Sequence, residues 1–319
     1  MKRVLVTGAR GFVGRHCLPL LLARGYEVHA VSTRLGPKAD DDVRWHQVDL
    51  LDGAAAPALI DAVHPSHLLH LAWCTAHGAY WTSPQNLQWV ESTFALARAF
   101  SRTGRRIVMA GTCAEYDWGH RVCAETTPLV PATLYGAAKH AANTVLERYC
   151  PGMNLSYASG RLFMLYGPGE APQRLVPSVA RALVAGMPAH CAHGQHVRDV
   201  LHVRDAADAL VALLDSEAQG PFNVASGTPI RLAEVVGGLA RIAGRSDLLR
   251  LATTPARAEP TELTADISRI RRELGWSPKC DLDAGLAEVL EWWREQLAGE
   301  RDAGAAFGAS REPGQVTDH

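Results

Sequence analysis

The chain has 319 residues, 47% hydrophobic and 20% charged, which suits one large or two smaller globular domains and excludes bulk disorder. Lys and Arg number 32 against 33 Asp and Glu, so no summed positive field exists to attract nucleic acid or an anionic membrane. Apolar runs such as Leu18 to Ala23 fall short of the roughly 20 residues of a spanning helix, and Met1-Lys2-Arg3 leads into a strand-like segment rather than a signal peptide, so the expectation is a soluble, cytoplasmic protein.

The first half alternates short apolar runs with longer amphipathic stretches, the pattern of a parallel sheet covered by helices on both faces. Val4 to Thr7 reads as a strand, Phe12 to Arg24 as a helix closed by Gly25, and Tyr26 to Val31 as the next strand. Further strands are predicted at Arg44 to Val48, His67 to Ala72, Arg106 to Ala110 and Leu155 to Phe163. Helices are predicted at Pro57 to Val63, Pro84 to Ser101 and Thr133 to Tyr149. After Tyr166-Gly167-Pro168-Gly169 the rhythm changes, with a helix from Leu175 to Ala185 followed by short strands and turns. This predicts a doubly wound, Rossmann-type α/β domain over residues 1–164 and a smaller, discontinuous α/β substrate lobe over 165–298. The chain is expected to recross into the first domain near 198–224 and to end in a flexible tail from Gly299 to His319.

Thr7-Gly8-Ala9-Arg10-Gly11-Phe12-Val13-Gly14 falls between the first strand and the first helix, where backbone N–H groups and the helix dipole favour a dinucleotide pyrophosphate. Gly8 would allow the tight turn, Gly11 the approach of the pyrophosphate, and Gly14 the close packing of helix on strand. An NAD site of this kind usually has an acid at the end of the second strand to hold the ribose diol. This chain has Ser32-Thr33-Arg34 there, and Asp40, Asp41 and Asp42 come too late. Arg34, joined by Arg10, offers a fork for a 2′-phosphate, which favours NADP(H) over NAD(H); the competing reading makes both arginines solvated surface residues.

Tyr135-Gly136-Ala137-Ala138-Lys139 places a phenol and an ammonium four residues apart on one helical face, so the cation is expected to favour the phenolate and lower the pKa of Tyr135 from about 10. Upstream, Gly111-Thr112-Cys113-Ala114-Glu115-Tyr116 follows a strand expected to end at the ligand-binding edge, where Thr112 offers a hydroxyl. With the glycine opening, this set resembles the extended short-chain dehydrogenase/reductases, the nucleotide-sugar epimerase/dehydratase/reductase family. Asp49-Leu50 resembles that family's adenine-contacting pair and His70-Leu71-Ala72 its turn beside the cofactor phosphates. Arg161 to Gly169, Arg198 to Val203, Asn223 to Gly227, Asp266-Ile267-Ser268 and Leu274-Gly275-Trp276 resemble later family segments, so the likeness spans about residues 2–296.

The resemblance implies hydride transfer between nicotinamide C4 and a sugar carbon, with Tyr135 moving the proton, Lys139 also holding the nicotinamide ribose and Thr112 orienting the substrate oxygen. It implies substrate-diphosphate contacts from Arg198 and Arg257, whose competing reading is an inter-lobe salt bridge, and a homodimer built on the helices around 84–101 and 133–149. Met164 stands where the family commonly has Asn, and Cys113-Ala114 where its dehydratases carry Asp-Glu, which disfavours dehydration; Glu115 keeps an acid one position further on. Cys113 reads as a small buried residue rather than an acid/base, and the seven cysteines, odd in number and without a Cys-x-x-Cys pair, read as reduced thiols. Neither His64, His67, His70 nor His190, His193, His196 has the spacing of a metal site, so no metal is expected. Tyr80, Trp81, Trp89 and Trp118 read as core aromatics, with a sugar-lining role as the alternative. The first functional expectation is an NADPH-dependent reductase of a nucleotide-linked 4-keto sugar, the second a 4-epimerase with retained cofactor, and the third a non-catalytic dinucleotide-binding protein.

Overall fold

The computed structural model describes residues 2–34, 42–192, 194–252 and 260–309, with side chains through residue 300. In chain order its strands are β1 (Arg3–Thr7), β2 (Glu27–Ser32), β3 (Val43–Gln47), β4 (His67–His70), β5 (Arg106–Thr112), β6 (Val122–Cys123), β7 (Ser156–Leu162), β8 (Met164–Tyr166), β9 (Ala189–Cys191), β10 (Val197–His202), β11 (Gly220–Val224), β12 (Pro229–Arg231), β13 (Leu249–Leu251) and β14 (Glu262–Ala265). The helices are α1 (Gly14–Ala23), α2 (Ala55–Val63), α3 (Gln85–Phe100), α4 (Leu134–Gly152), α5 (Leu175–Val184), α6 (Val203–Asp215), α7 (Leu232–Ile242), α8 (Ser268–Leu274) and α9 (Leu282–Ala309).

Seven strands form one parallel sheet in the order β11-β7-β5-β4-β1-β2-β3. Helices α2, α3 and α4 bury their apolar stripes on one face, and α1 and α6 on the other, which makes this a doubly wound Rossmann-type sheet. Buried on both faces, β5 is inside along all seven residues, and each fully buried aliphatic side chain there contributes ~1.5–3 kcal/mol. Strand order reverses where β1 lies between β2 and β4, and in open α/β sheets the crevice at such a switch point takes the ligand.

The second sheet runs β12-β10-β14-β6, with β8 beside β10, and its apolar residues pack against α5, α7 and α9. Here β10 stays in the second sheet, and only α6 and β11 return to the first. Asp199 of β10 stitches the two together: its carboxylate accepts hydrogen bonds from the Ser226 N–H and hydroxyl and the Gly227 N–H, just beyond β11. Helix α9 continues to Ala309, so the first part of the tail expected from Gly299 is helical, and its remainder, 310–319, lies outside the described residues. Among the described residues no helix is long and apolar enough to cross a membrane.

Candidate active site

The loop after β1 is set by backbone contact. Gly8 has φ +67°, and a Cβ there would stand 2.8 Å from the Ala72 nitrogen, so only glycine lets this turn meet the end of β4. A Cβ on Gly14 would lie 2.3 Å from the Gly8 carbonyl oxygen, which fixes how closely α1 begins behind β1. Gly11 is glycine because a Cβ would meet that same oxygen at 2.9 Å, so the turn itself already requires it. Val13 is the N-cap of α1; among the described residues no side chain caps the helix, and no acid occupies its first turn, which leaves its amino end available to an anion.

Sequence reasoning missed the brace beneath this loop. Thr7 Oγ1 accepts the N–H groups of Leu71 and Ala72, each at 3.1 Å, and therefore donates to His70 Nδ1 at 2.7 Å. His70 Nε2 then donates to Thr93 Oγ1 at 3.0 Å, and that hydroxyl donates to the Trp89 carbonyl. Burial holds His70 neutral, with its pKa pushed down to about 3. The chain ties β1, β4 and α3 together where a pyrophosphate would sit.

The edge expected to take the adenosine is more open. Arg34 and Arg10 are exposed, and Ser32 closes β2 by accepting the Arg34 N–H on its hydroxyl. Asp49 is exposed and caps its own turn through Leu51 N–H, whereas Leu50 is buried and its carbonyl takes the Ser92 hydroxyl at 2.6 Å. Phe12 packs edge-on against His16 of α1. The glycine cradle, the uncapped helix and the acid-free tip of β2 together fit a dinucleotide.

At the end of β5, Thr112 begins a short 3-10 turn, its hydroxyl accepting the Ala114 N–H while its own N–H donates to Glu115 Oε1 at 2.8 Å. Helix α4 is delivered onto this turn by three local features. Thr133 caps it by accepting the Gly136 N–H, Tyr135 N–H donates to the Trp81 carbonyl at 3.1 Å, and a Cβ on Gly136 would stand 2.2 Å from the Ala114 carbonyl oxygen. Gly136 is thus what allows Tyr135 to reach the Thr112 hydroxyl. The role of this glycine left no signal in the sequence beyond its place inside the motif.

Tyr135 is half-buried, Thr112 and Lys139 are buried, and the three lie near the carboxyl end of β5. Their electrostatics differ from expectation. Burial raises the Tyr135 phenol above its ordinary value, and the hydrogen bond from Thr112 opposes that rise. The Lys139 ammonium donates to the Ala110 carbonyl at 2.9 Å and lies 3.9 Å from the centre of the Trp73 ring. With burial outweighing the attraction of Glu115, Lys139 is pushed down to about 7. Glu115 is not an acid for the substrate either: it is completely buried and takes Thr112 N–H, Asn143 Nδ2 at 3.0 Å and Arg161 Nε at 3.4 Å.

Tyr80 and Trp81 meet the Tyr135 ring edge-on at 5.0 and 5.7 Å, and Trp118 meets Trp81 at 6.1 Å. Three of the four aromatics read as core therefore border Tyr135 directly or through Trp81, while Trp89 packs against the core behind it, stacked on Trp73. Burial pushes the Cys113 thiol up to about 12, so it is a protonated small side chain beside Thr112. On the second sheet, Arg198 donates to the Val197 carbonyl and bonds His196 Nδ1, and its charge is felt at Cys113, which places it on the site's side of β10. Met164 is half-buried on β8. Arg257 and His193 lie outside the described residues, and among the described residues no cluster of three His, Cys, Asp or Glu side chains forms.

The sequence model of the NAD dependent epimerase/dehydratase family matches residues 4–225. The chain belongs to that family. Among curated relatives of this epimerase/dehydratase-family chain, UDP-glucose 4-epimerase of Bacillus subtilis is 25% identical over 94% of the chain and 99% of its own length. UDP-glucuronic acid decarboxylase 1 of Xenopus tropicalis is 24% identical over 99% of the chain and 77% of its own length. The UDP-glucose 4-epimerase of Thermus thermophilus, solved as a complex with NAD, superposes with a TM-score of 0.79 at 26% identity, covering 92% of this chain and 99% of that one. The protein is thus an NAD(P)-dependent enzyme of the extended short-chain dehydrogenase/reductase type.

Proposed function

We propose that this enzyme uses NADPH to reduce a nucleotide-linked 4-keto sugar, with Tyr135 as proton donor. The observation that carries the reading is the tip of β2, where Ser32-Thr33-Arg34 offers an exposed guanidinium and no carboxylate to repel a 2′-phosphate. A reductase exchanges its cofactor every turnover and commonly draws on NADPH. The bound nicotinamide would supply the hydride. On the protein side, Thr112 and Tyr135 orient the keto oxygen, and the phenol, kept neutral by burial, gives up its proton as negative charge develops on that oxygen. Gly8, Arg10, Gly11, Phe12, Val13 and Gly14, with Leu71 and Ala72, would hold the pyrophosphate side, Asp49 and Leu50 the adenosine side, and Lys139 the nicotinamide ribose. Tyr80, Trp81 and Trp118 present ring faces and edges suited to a sugar. Arg198 and Arg257 are assigned to the substrate diphosphate, with Met164 contributing only apolar contact. Leu87 and Val145, exposed on α3 and α4, support a homodimer through those helices.

The second reading, a 4-epimerase that keeps its cofactor bound, is favoured by the full-length likeness to UDP-glucose 4-epimerases, one of them solved with NAD. Purification decides between them. Protein that copurifies without nucleotide and consumes NADPH only when a 4-keto sugar nucleotide is added supports the reductase. Tightly held NAD, with interconversion of two sugar nucleotides and no net cofactor oxidation, overturns it in favour of the epimerase.

A further inference from the structure

Lys139 is the one lysine among the described residues that lies inside the protein; Lys2 and Lys279 are exposed. Among the described residues no carboxylate lies within bonding distance of its ammonium. The Ala110 carbonyl takes one of its protons at 2.9 Å, and the centre of the Trp73 ring lies 3.9 Å away. Trp73 is itself held rigidly: its indole N–H donates to Asn86 Oδ1 at 2.8 Å, and the Asn86 amide donates to the Tyr80 and Ser83 carbonyls at 2.8 and 2.9 Å. Trp89 stacks against it at 6.2 Å. Asn86 is fully buried, so this is a built support rather than a surface contact.

We propose that Trp73 is a positioning residue for Lys139, its indole face serving as the counter-group that keeps the ammonium seated at the active-site edge in place of a carboxylate. A cation over the face of an indole is attracted by the ring quadrupole, an interaction strongest where water is excluded. The ring favours the charged amine over the neutral one, against the burial that favours the reverse. The other ionisable groups facing the ammonium are Glu115 after β5, bound to Arg161 of β7; His70 of β4, which is neutral; and the Tyr135 phenol one turn back on α4. Glu115 alone supplies opposing charge, and its oxygens are occupied by Thr112, Asn143 and Arg161. Trp73 follows directly on the Leu71-Ala72 turn, so the same segment that brackets the glycine loop also seats the lysine.

The chain has four lysines, so protein labelled with ¹³C at the lysine ε-carbon gives few signals, and Lys139→Met identifies the one of interest. In the full-length protein this signal is expected to titrate near neutrality, far below the others. Biosynthetic replacement of tryptophan by its mono-, di- and trifluoro forms keeps the shape of the indole while draining its quadrupole. Among the described residues only Trp73 lies over a lysine in the interior, so the Lys139 midpoint should fall stepwise with fluorination, by about one pH unit in total. Trp73→Leu should lower it as far or further and Trp73→Phe by less. A midpoint unmoved by fluorination overturns the proposal, and this test does not require that Trp73→Leu folds. The kinetic arm rests on the reductase reading: the alkaline limb of kcat should move down with the Lys139 midpoint while KM for the sugar holds. A midpoint that moves without the limb would confine the ring to holding the amine and would count against Lys139 as a charge needed in turnover, leaving the contact itself established.

Discussion

Glu115 and Lys139 are both buried at the carboxyl edge of the main sheet, and the protein treats them in opposite ways. Glu115 is saturated by a backbone N–H, an amide and a guanidinium, and Arg161 is further fixed by the Tyr116 hydroxyl at 3.0 Å. Among the described residues Lys139 contacts a carbonyl and an aromatic face and no carboxylate. A buried charge with all its partners supplied internally is architecture, while one left short of a counter-charge keeps its capacity for a ligand. Position in sequence gave no hint of this division, since Glu115 adjoins the catalytic turn as closely as Lys139 adjoins Tyr135.

The contrast can be broken experimentally, and the largest effect belongs to the reaction centre. Tyr135→Phe should reduce turnover by about 10²- to 10⁴-fold while dinucleotide affinity, measured by fluorescence titration, changes less than twofold. Full activity in that variant would remove the phenol from the mechanism. Glu115→Ala should act through folding: leaving Arg161 buried without its partner should cost about 3–5 kcal/mol in denaturant unfolding. A stable Glu115→Ala protein that is merely inactive would restore the acid role that the structure denies it.

Lys139 sharpens the comparison through pH. Its folded value of about 7 lies below its ordinary 10.5, so between these limits the unfolded chain binds more protons than the folded one, and stability should rise with pH across that window. The burial cost is fully present below pH 7 and is relieved as the amine deprotonates. Lys139→Met should flatten that slope in thermal melts at pH 7 to 9.5, and an unchanged slope would assign it to another group. The smallest effect is expected at the periphery: Arg34→Ala should weaken NADPH about tenfold and NADH hardly at all, and equal weakening of both would end the preference argued from the tip of β2.

Much of the site was legible because its parts are local. The helical spacing of Tyr135 and Lys139 and the turn at Gly8 are short-range geometry, and the β1-α1-β2 rhythm follows from periodicity alone. What misled was the inference that neighbours on a helix face must interact. Lys139 is four residues from Tyr135, yet its amine points to Ala110 and Trp73, and burial raises the phenol that the cation was expected to acidify. Trp73 could not be chosen from the other tryptophans, nor Asn86 recognised as its anchor, because both act through contacts between α3, α4 and the loop after β4. The aromatics Tyr80, Trp81 and Trp118 show the same limit, since residues as far apart as 81 and 118 meet only after folding.

The sequence by itself determined the alternation of strands and helices, the glycine turn at the first crossover and the order of chemical groups along the chain, since each depends on dihedral preference or apolar period over a few residues. Only the tertiary structure decided which buried charge is neutralised, which aromatic face receives the lysine and how closely Gly136 lets α4 approach Thr112. Those outcomes depend on desolvation and on contacts between segments tens of residues apart, quantities that no local pattern encodes.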